Sequence, residues 1–251
     1  MKKAKNKPQN AIEVHALSKH FMGIKAVDSL TVSIQKGIAT GLIGPNGSGK
    51  TTLMNLLTGL LEPTAGTIII NGKKYKKIKP TILRDLKIAR TFQDSRLIEQ
   101  LSVRDNLMLP IAQAHYWKGF LEFTNKEKNK KVNEVLKIIG LESHKNANAG
   151  TLSYGQRKLL EVGRSLVQDA DIYFFDEPFT GLFPEVVEHI LGILRGLKEQ
   201  GKTLIVIEHD MALIQKLCDD AIVLDYGHLL ATGKPAEVLA DKNVKEAYLG
   251  K

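Results

Sequence analysis

The chain has 251 residues, of which 43% are hydrophobic and 25% charged, with a formal net charge of +9 at pH 7; this is an ordinary globular composition, enough for one large core or two modest ones, and it excludes a low-complexity or disordered class. No run approaches the roughly 18 to 20 consecutive apolar residues of a membrane-spanning helix, and the lysine-rich stretch Met1 to Asn10 has no apolar run behind it, so the expectation is no secretory signal and a place in the cytoplasm. The single Cys218 excludes an internal disulfide, and no Cys/His cluster has zinc-ligand spacing.

In chain order, Ile12 to Leu17, Leu30 to Ile34 and Thr67 to Ile70 are short β-branched or alternating runs broken by Lys36-Gly37 and Asn71-Gly72, which predicts antiparallel strands and tight turns. Ala39 to Ile43 is a small apolar strand that enters a Gly-rich loop. A helix through Thr51 to Thr58 follows, closed by Gly59 and Pro63. From Thr81 to Lys137 the periodicity reads as helical and highly charged, and Val132 to Gly140 places Val132, Val135, Leu136 and Ile139 on one helix face. Ile172 to Phe175 and Leu204 to Ile207 are continuous apolar runs of strand length, with the amphipathic helix Val186 to Lys198 between them, and that alternation predicts a parallel sheet covered by helices.

The positive charge gathers at Lys2 to Lys7, Lys73 to Lys79 and Lys126 to Lys131. Such charge suits nucleic acid or anionic headgroups, but aromatic residues do not interleave with it as a base-stacking surface requires, so solvated loops and helix faces are the favoured reading.

Gly44-Pro45-Asn46-Gly47-Ser48-Gly49-Lys50-Thr51 matches G-x-x-x-x-G-K-[ST] at a strand-to-helix junction, the context that pattern needs. Backbone N–H groups of the curled loop, continued by Thr52, would bind phosphate oxygens at the helix N-terminus. Lys50 would reach the β- and γ-phosphates of ATP, and the Thr51 hydroxyl would ligate Mg²⁺. The buried run from Ile172 ends in Asp176-Glu177; Asp176 suits Mg²⁺, held through water, and Glu177 suits the activation of an attacking water. An acidic pair after a strand is by itself more often a cap or a solvated turn.

Leu152-Ser153-Tyr154-Gly155-Gln156, ahead of a helix through Lys158 to Val167, resembles the signature motif of the ATP-binding cassette (ABC) ATPases, with Tyr154 where the commonest form has glycine. The resemblance covers nearly the whole chain. It implies that the signature of one subunit caps the γ-phosphate held by the loop of a second subunit, which assigns Ser153, Gly155 and Gln156 to nucleotide binding. It also implies that Phe21 stacks on adenine, although alone it reads equally as a core phenylalanine. Gln93, in Arg90-Thr91-Phe92-Gln93-Asp94, is implied to contact Mg²⁺ and water. His209, after what reads as the last core strand, is implied to be the switch histidine beside the γ-phosphate. The catalytic set is thus Glu177, His209 and Lys50, and the metal set Thr51, Gln93 and Asp176. One departure stands out: Phe183, in Phe179-Thr180-Gly181-Leu182-Phe183-Pro184, occupies a position usually held by Asp in the loop between subunits, and it cannot accept a hydrogen bond.

Ala89 to Gln93, the Tyr-Gly-Gln signature, Ile207-Glu208-His209-Asp210-Met211 and Ala247-Tyr248-Leu249-Gly250 resemble the ATPase subunits of branched-chain amino-acid importers, as does an extension at Pro110 to Lys131. Importers of urea or short-chain amides and exporters of lipopolysaccharide share much of this pattern. The resemblance implies two membrane permease subunits, a second ATPase arranged head to tail, an external substrate-binding protein, and a place on the cytoplasmic face of the membrane. It further implies a groove at Gln93 to Leu107 that receives the permease, where charge at Leu101 or Val103 would uncouple transport. A soluble cassette acting on nucleic acid is a second reading, opposed by the single nucleotide unit and the lack of a long coiled coil. A P-loop kinase or GTPase explains neither the signature nor His209. The fold expected is α/β: a P-loop NTPase core with a mostly parallel sheet and an N-terminal antiparallel β subdomain (1–93 and 168–251), and an inserted α-helical subdomain (94–167).

Overall fold

The computed structural model describes residues 9–91, 97–112 and 123–249. Two sheets organise it. The first is antiparallel, in the order β2-β1-β4-β5, built from β1 (Asn10–Phe21), β2 (Ile24–Gln35), β4 (Ala65–Ile70) and β5 (Lys73–Tyr75). The second has the order β10-β9-β3-β8-β7-β6, from β3 (Ala39–Ile43), β6 (Ile88–Arg90), β7 (Ile172–Asp176), β8 (Thr203–Ile207), β9 (Asp220–Asp225) and β10 (His228–Gly233). All its neighbours pair in parallel except β9 and β10.

The central strands are buried along their whole length, which is why β3, β7 and β8 read as unbroken apolar runs. Their side chains alternate between two cores. Tyr173, Phe175, Leu204 and Val206 join the core under α4 (Tyr154–Leu166) and α5 (Pro184–Glu199). Ile172, Phe174, Ile205 and Ile207 face the other way, into the core shared by α1 (Lys50–Leu57) and the antiparallel sheet. Asn71-Gly72 turns β4 into β5 with both residues at positive φ, 49° and 78°, as the sequence predicts. The hairpins at Met22-Gly23 and Tyr226-Gly227 use the same geometry.

The stretch Thr81 to Lys137 is not continuously helical. Among its described residues it contains β6, the edge strand that pairs with β7, and, as α-helix, α2 (Val103–Met108) and all but the last residue of α3 (Phe123–Ile138). Three residues are too few to show a period, so a strand this short is invisible to pattern reading. β8 is likewise not the last core strand. After α6 (Met211–Leu217) the chain returns as β9, which pairs with the other edge of β3, and then adds β10, α7 (Pro235–Ala240) and α8 (Lys242–Leu249).

Candidate nucleotide site

The phosphate loop joins β3 to α1, and close packing forces its glycines. Gly44 has φ +146°, and a Cβ there would fall 2.1 Å from the Leu224 carbonyl oxygen of β9. Gly49 has φ +104°, and a Cβ would fall 2.4 Å from the Ala26 carbonyl oxygen of β2. The loop is therefore clamped between both sheets, and only glycine fits at these two points. Gly49 is the N-cap of α1 and offers no side-chain cap, and no acidic residue stands in the first turn. The first N–H groups of the helix, at Lys50, Thr51 and Thr52, are left for an anion.

Lys50 is buried and folds back, donating to the carbonyl oxygens of Gly44 (2.8 Å) and Pro45 (2.9 Å). Burial lowers its pKa, while the charges of Glu177 and Asp176 pull the other way. The tertiary fold thus brings the phosphate-loop lysine into the field of both carboxylates. The buried Ser48 hydroxyl has no hydrogen-bond partner among the described residues. An orphan hydroxyl, an uncapped helix start and an ammonium satisfied only by loop carbonyls fit a triphosphate. Pro45, Asn46, Gly47 and Ser48 line one side of a cleft of about 610 Å³, with α8 opposite at Asn243, Glu246 and Ala247.

Asp176 closes β7 and is buried. Its N–H donates to Thr91 Oγ1 at 3.1 Å, and its Oδ2 lies 3.3 Å from Arg90 Nη2. Burial raises the Asp176 pKa and Arg90 opposes the rise. Arg90 also donates from Nη1 to Asn55 Oδ1 (2.6 Å) on α1 and to Thr58 Oγ1 (2.8 Å) at the C-cap of α1. One guanidinium therefore ties the acidic strand to the phosphate-loop helix. In the sequence Arg90 stands only as part of the Arg90 to Asp94 motif; the cue to its role is an arginine inside a strand whose neighbours are buried.

Glu177 follows with φ +48°, in the left-handed region that a non-glycine residue enters at a cost. That turn carries its carboxylate to His209, where Glu177 Oε1 and His209 Nε2 are 3.0 Å apart. A carboxylate oxygen can only accept, so the ring nitrogen donates. Asp210 caps α6 through Ala212 N–H at 2.8 Å, which fixes the chain just beyond the histidine.

Ser153 and Gln156 form a capping box at the start of α4: Ser153 Oγ accepts from Gln156 N–H (3.3 Å), and Gln156 Oε1 accepts from Ser153 N–H (2.9 Å). A Cβ on Gly155 would lie 3.1 Å from Val186 Cγ2 of α5. Tyr154 Oη donates to the Thr180 carbonyl (3.2 Å), which ties the signature to the loop that carries Phe183. Phe183 is 79% exposed. Among the described residues no hydrogen bond joins Ser153, Gly155 or Gln156 to the phosphate loop of the same chain.

Phe21 stands at the tip of the first hairpin, 38% exposed, with Lys19 Nζ 4.9 Å from the ring centroid. It is no core phenylalanine. Gln93 lies outside the described residues, as does much of the extension at Pro110 to Lys131. Thr51 is exposed on the first turn of α1. Val103 has 0% exposure and packs in the core between α2, α3 and α4, so it is not a surface position for a permease contact. Arg90, Thr91, Leu109, Pro110, Glu161 and Arg164 line a separate cleft of about 210 Å³ between the sheet and the helices.

The family described as "ABC transporter" matches residues 27–180, more than half of the chain. This chain belongs to that family. The cassette binds nucleotide and is an ATPase. A second match, described as "Branched-chain amino acid ATP-binding cassette transporter", covers residues 228–251. The cassette is 32% identical over 250 residues, covering 95% of this chain and 97% of the other, to the high-affinity branched-chain amino acid transport ATP-binding protein BraF of Pseudomonas aeruginosa. Among solved structures, the ADP conformation of an ATP-binding cassette of an ABC transporter superposes with a TM-score of 0.85 at 30% identity, covering 96% of this chain and 99% of that one. A dimeric cassette in a post-hydrolysis state, bound to ADP and phosphate, superposes with a TM-score of 0.78 at 28% identity, covering 89% and 98%. No helix among the described residues is long and apolar enough to cross a membrane.

Proposed function

We propose that this cassette hydrolyses MgATP to power the import of branched-chain amino acids, working head to tail with a second cassette beneath two permease subunits on the cytoplasmic face of the membrane. An external substrate-binding protein delivers the cargo. The observation that carries the hydrolytic part is the contact between Glu177 and His209 at the ends of β7 and β8, in electrostatic reach of Lys50. The match over residues 228–251 and the name of the Pseudomonas relative support the cargo.

In this reading Lys50 leaves the Gly44 and Pro45 carbonyls for the β- and γ-phosphates, and the uncapped turn of α1 holds the same oxygens, with Pro45, Asn46, Gly47 and Ser48 around them. Phe21 lies against the adenine. Thr51 and Asp176, with Gln93, offer hard oxygens suited to Mg²⁺, which when bound neutralises phosphate charge. Glu177 takes the proton of the attacking water as its oxygen bonds to the γ-phosphorus and the bond to the β-γ bridging oxygen breaks, releasing ADP; His209 Nε2 holds the carboxylate in line. Ser153, Gly155 and Gln156 act on the nucleotide of the partner cassette. That no hydrogen bond among the described residues joins them to the loop of their own chain supports this, as does the solved dimer of a related cassette. Residues 1–93 and 168–251 form the core, and 94–167 the helical arm that meets the permease.

Glu177→Gln tests the reading. ATP binding is retained while hydrolysis falls by about two orders of magnitude or more; undiminished turnover overturns the assignment. For cargo, cells lacking this chain lose ATP-dependent uptake of radiolabelled leucine, and loss of urea uptake instead identifies the other importer class.

A further inference from the structure

Glu208 directly follows β8 and is only 3% exposed, yet among the described residues it pairs with no lysine or arginine. A buried carboxylate without a cation is costly and persists where its oxygens hold something. Here Oε1 accepts the Phe179 N–H at 3.1 Å and Oε2 accepts the His209 N–H at 3.0 Å, with the Asp210 N–H also directed at the group. Phe179 opens the loop that continues through Thr180 to the exposed Phe183, and Thr180 Oγ1 reaches back to Glu177 Oε2 at 3.5 Å. Glu177 is in turn joined to the strand of Glu208, through its N–H to the Ile207 carbonyl (3.0 Å), and to His209 through the ring. The contacts close a ring: Glu177 to His209, His209 to Glu208, Glu208 to Phe179, and the loop back to Glu177.

We infer that Glu208 is a positioning residue, whose two carboxylate oxygens fasten the 178–183 loop to His209, so that displacement of the loop is passed to the contact between His209 and Glu177. The inference rests on the roles proposed above for Glu177 and His209. A carboxylate suits this clamp because both oxygens accept and neither donates. Glutamine has the same shape but turns an NH₂ toward one of the two amides, so one side of the clamp opens while the core stays filled. The loop carries Phe183 at its exposed end, on the segment tied to the signature by Tyr154. Glu208 is thus the fixed point between a surface that a second cassette would touch and the side chain that holds the carboxylate in line.

The test is a double-mutant cycle on the full chain, reading steady-state MgATP hydrolysis, nucleotide affinity and thermal unfolding for the wild type, Glu208→Gln, His209→Ala and the double variant. The expected result is a kcat about tenfold lower for Glu208→Gln with KM within about twofold, and less than about twofold further loss when the substitution is made on His209→Ala. Equal losses in both backgrounds, or a wild-type kcat for Glu208→Gln, overturn the inference while leaving the role of His209 in place. Wild-type turnover by His209→Ala overturns both. If Glu208→Gln does not fold, Glu208→Asp takes its place in the cycle, since it keeps two acceptor oxygens drawn back by one methylene, and the same non-additivity decides the outcome.

Discussion

Arg90 Nη2 lies 3.3 Å from Asp176 Oδ2, with side chains only 6% and 2% exposed, and the same guanidinium reaches Asn55 on the phosphate-loop helix and Thr58 at its C-cap. The pair spans 86 positions of sequence and makes the distance between the acidic strand and α1 a matter of one side chain. Arg90→Ala leaves a buried carboxylate without its cation, a loss of about 3 to 5 kcal/mol measurable by urea unfolding. Arg90→Lys retains charge but a single ammonium cannot reach Asp176, Asn55 and Thr58 together, so it lowers kcat more than it lowers stability. In either variant the group that opposes the burial-driven rise of Asp176 is weakened. Its pKa climbs further, and the acid limb of the hydrolysis profile moves to higher pH.

Gly44→Ala and Gly47→Ala separate close packing from backbone strain in one loop. At Gly44 the added Cβ meets the Leu224 carbonyl oxygen at 2.1 Å and Ser48 Oγ at 2.7 Å, in a backbone at φ +146°. The loop must move, and the expected result is loss of nucleotide binding with at least about 2 kcal/mol of stability. At Gly47 the backbone is also left-handed, φ +80°, but a Cβ meets nothing within 4 Å. That variant folds with a cost of about 1 kcal/mol. Equal destabilisation of the two would contradict the clamp between the sheets.

Cys218 is buried against the central sheet, and burial pushes its thiol up to about 12 from an ordinary value of 9.0. The folded protein therefore holds this proton where the unfolded chain releases it. The stabilising contribution is complete below pH 9.0 and is lost as pH rises through 12. At pH 8 the native protein resists alkylation, and one thiol becomes reactive in denaturant. Fast modification of the native form would place Cys218 outside the core.

Val103→Asp distinguishes folding from coupling. Because Val103 is wholly buried among α2, α3 and α4, the charge destabilises the helical region by several kcal/mol, and circular dichroism shows a lowered Tm. Leu109→Asp, at a 39% exposed position in the cleft beside Arg90, retains Tm and ATP hydrolysis and lowers transport instead. Normal transport by the Leu109 variant would remove that cleft from the permease surface.

Much of the candidate site is legible in the sequence because its motifs are contiguous. Gly44 to Thr52, Asp176-Glu177 and Ser153 to Gln156 are each encoded within a few residues, and the strands before the first two announce themselves as apolar runs because both faces of the sheet are covered. Tight turns such as Asn71-Gly72 are similarly local. What the sequence leaves open is whatever depends on partners far apart in the chain. β6 is three residues long and exists only because β7 pairs with it. β9 and β10 complete the sheet on the far side of β3, although β8 reads as its end. Val103 looks like a groove residue until three helices close over it. Arg90 and Glu208 carry no local pattern: one guanidinium meets an aspartate 86 residues away, and one carboxylate accepts the N–H of Phe179, 29 residues back. By itself the sequence determined that this is a nucleotide-hydrolysing cassette with its phosphate loop between strand and helix. The tertiary structure alone decided which buried charges hold Asp176, Glu177 and His209 in register, because hydrogen bonds between distant segments form only once packing has placed both ends.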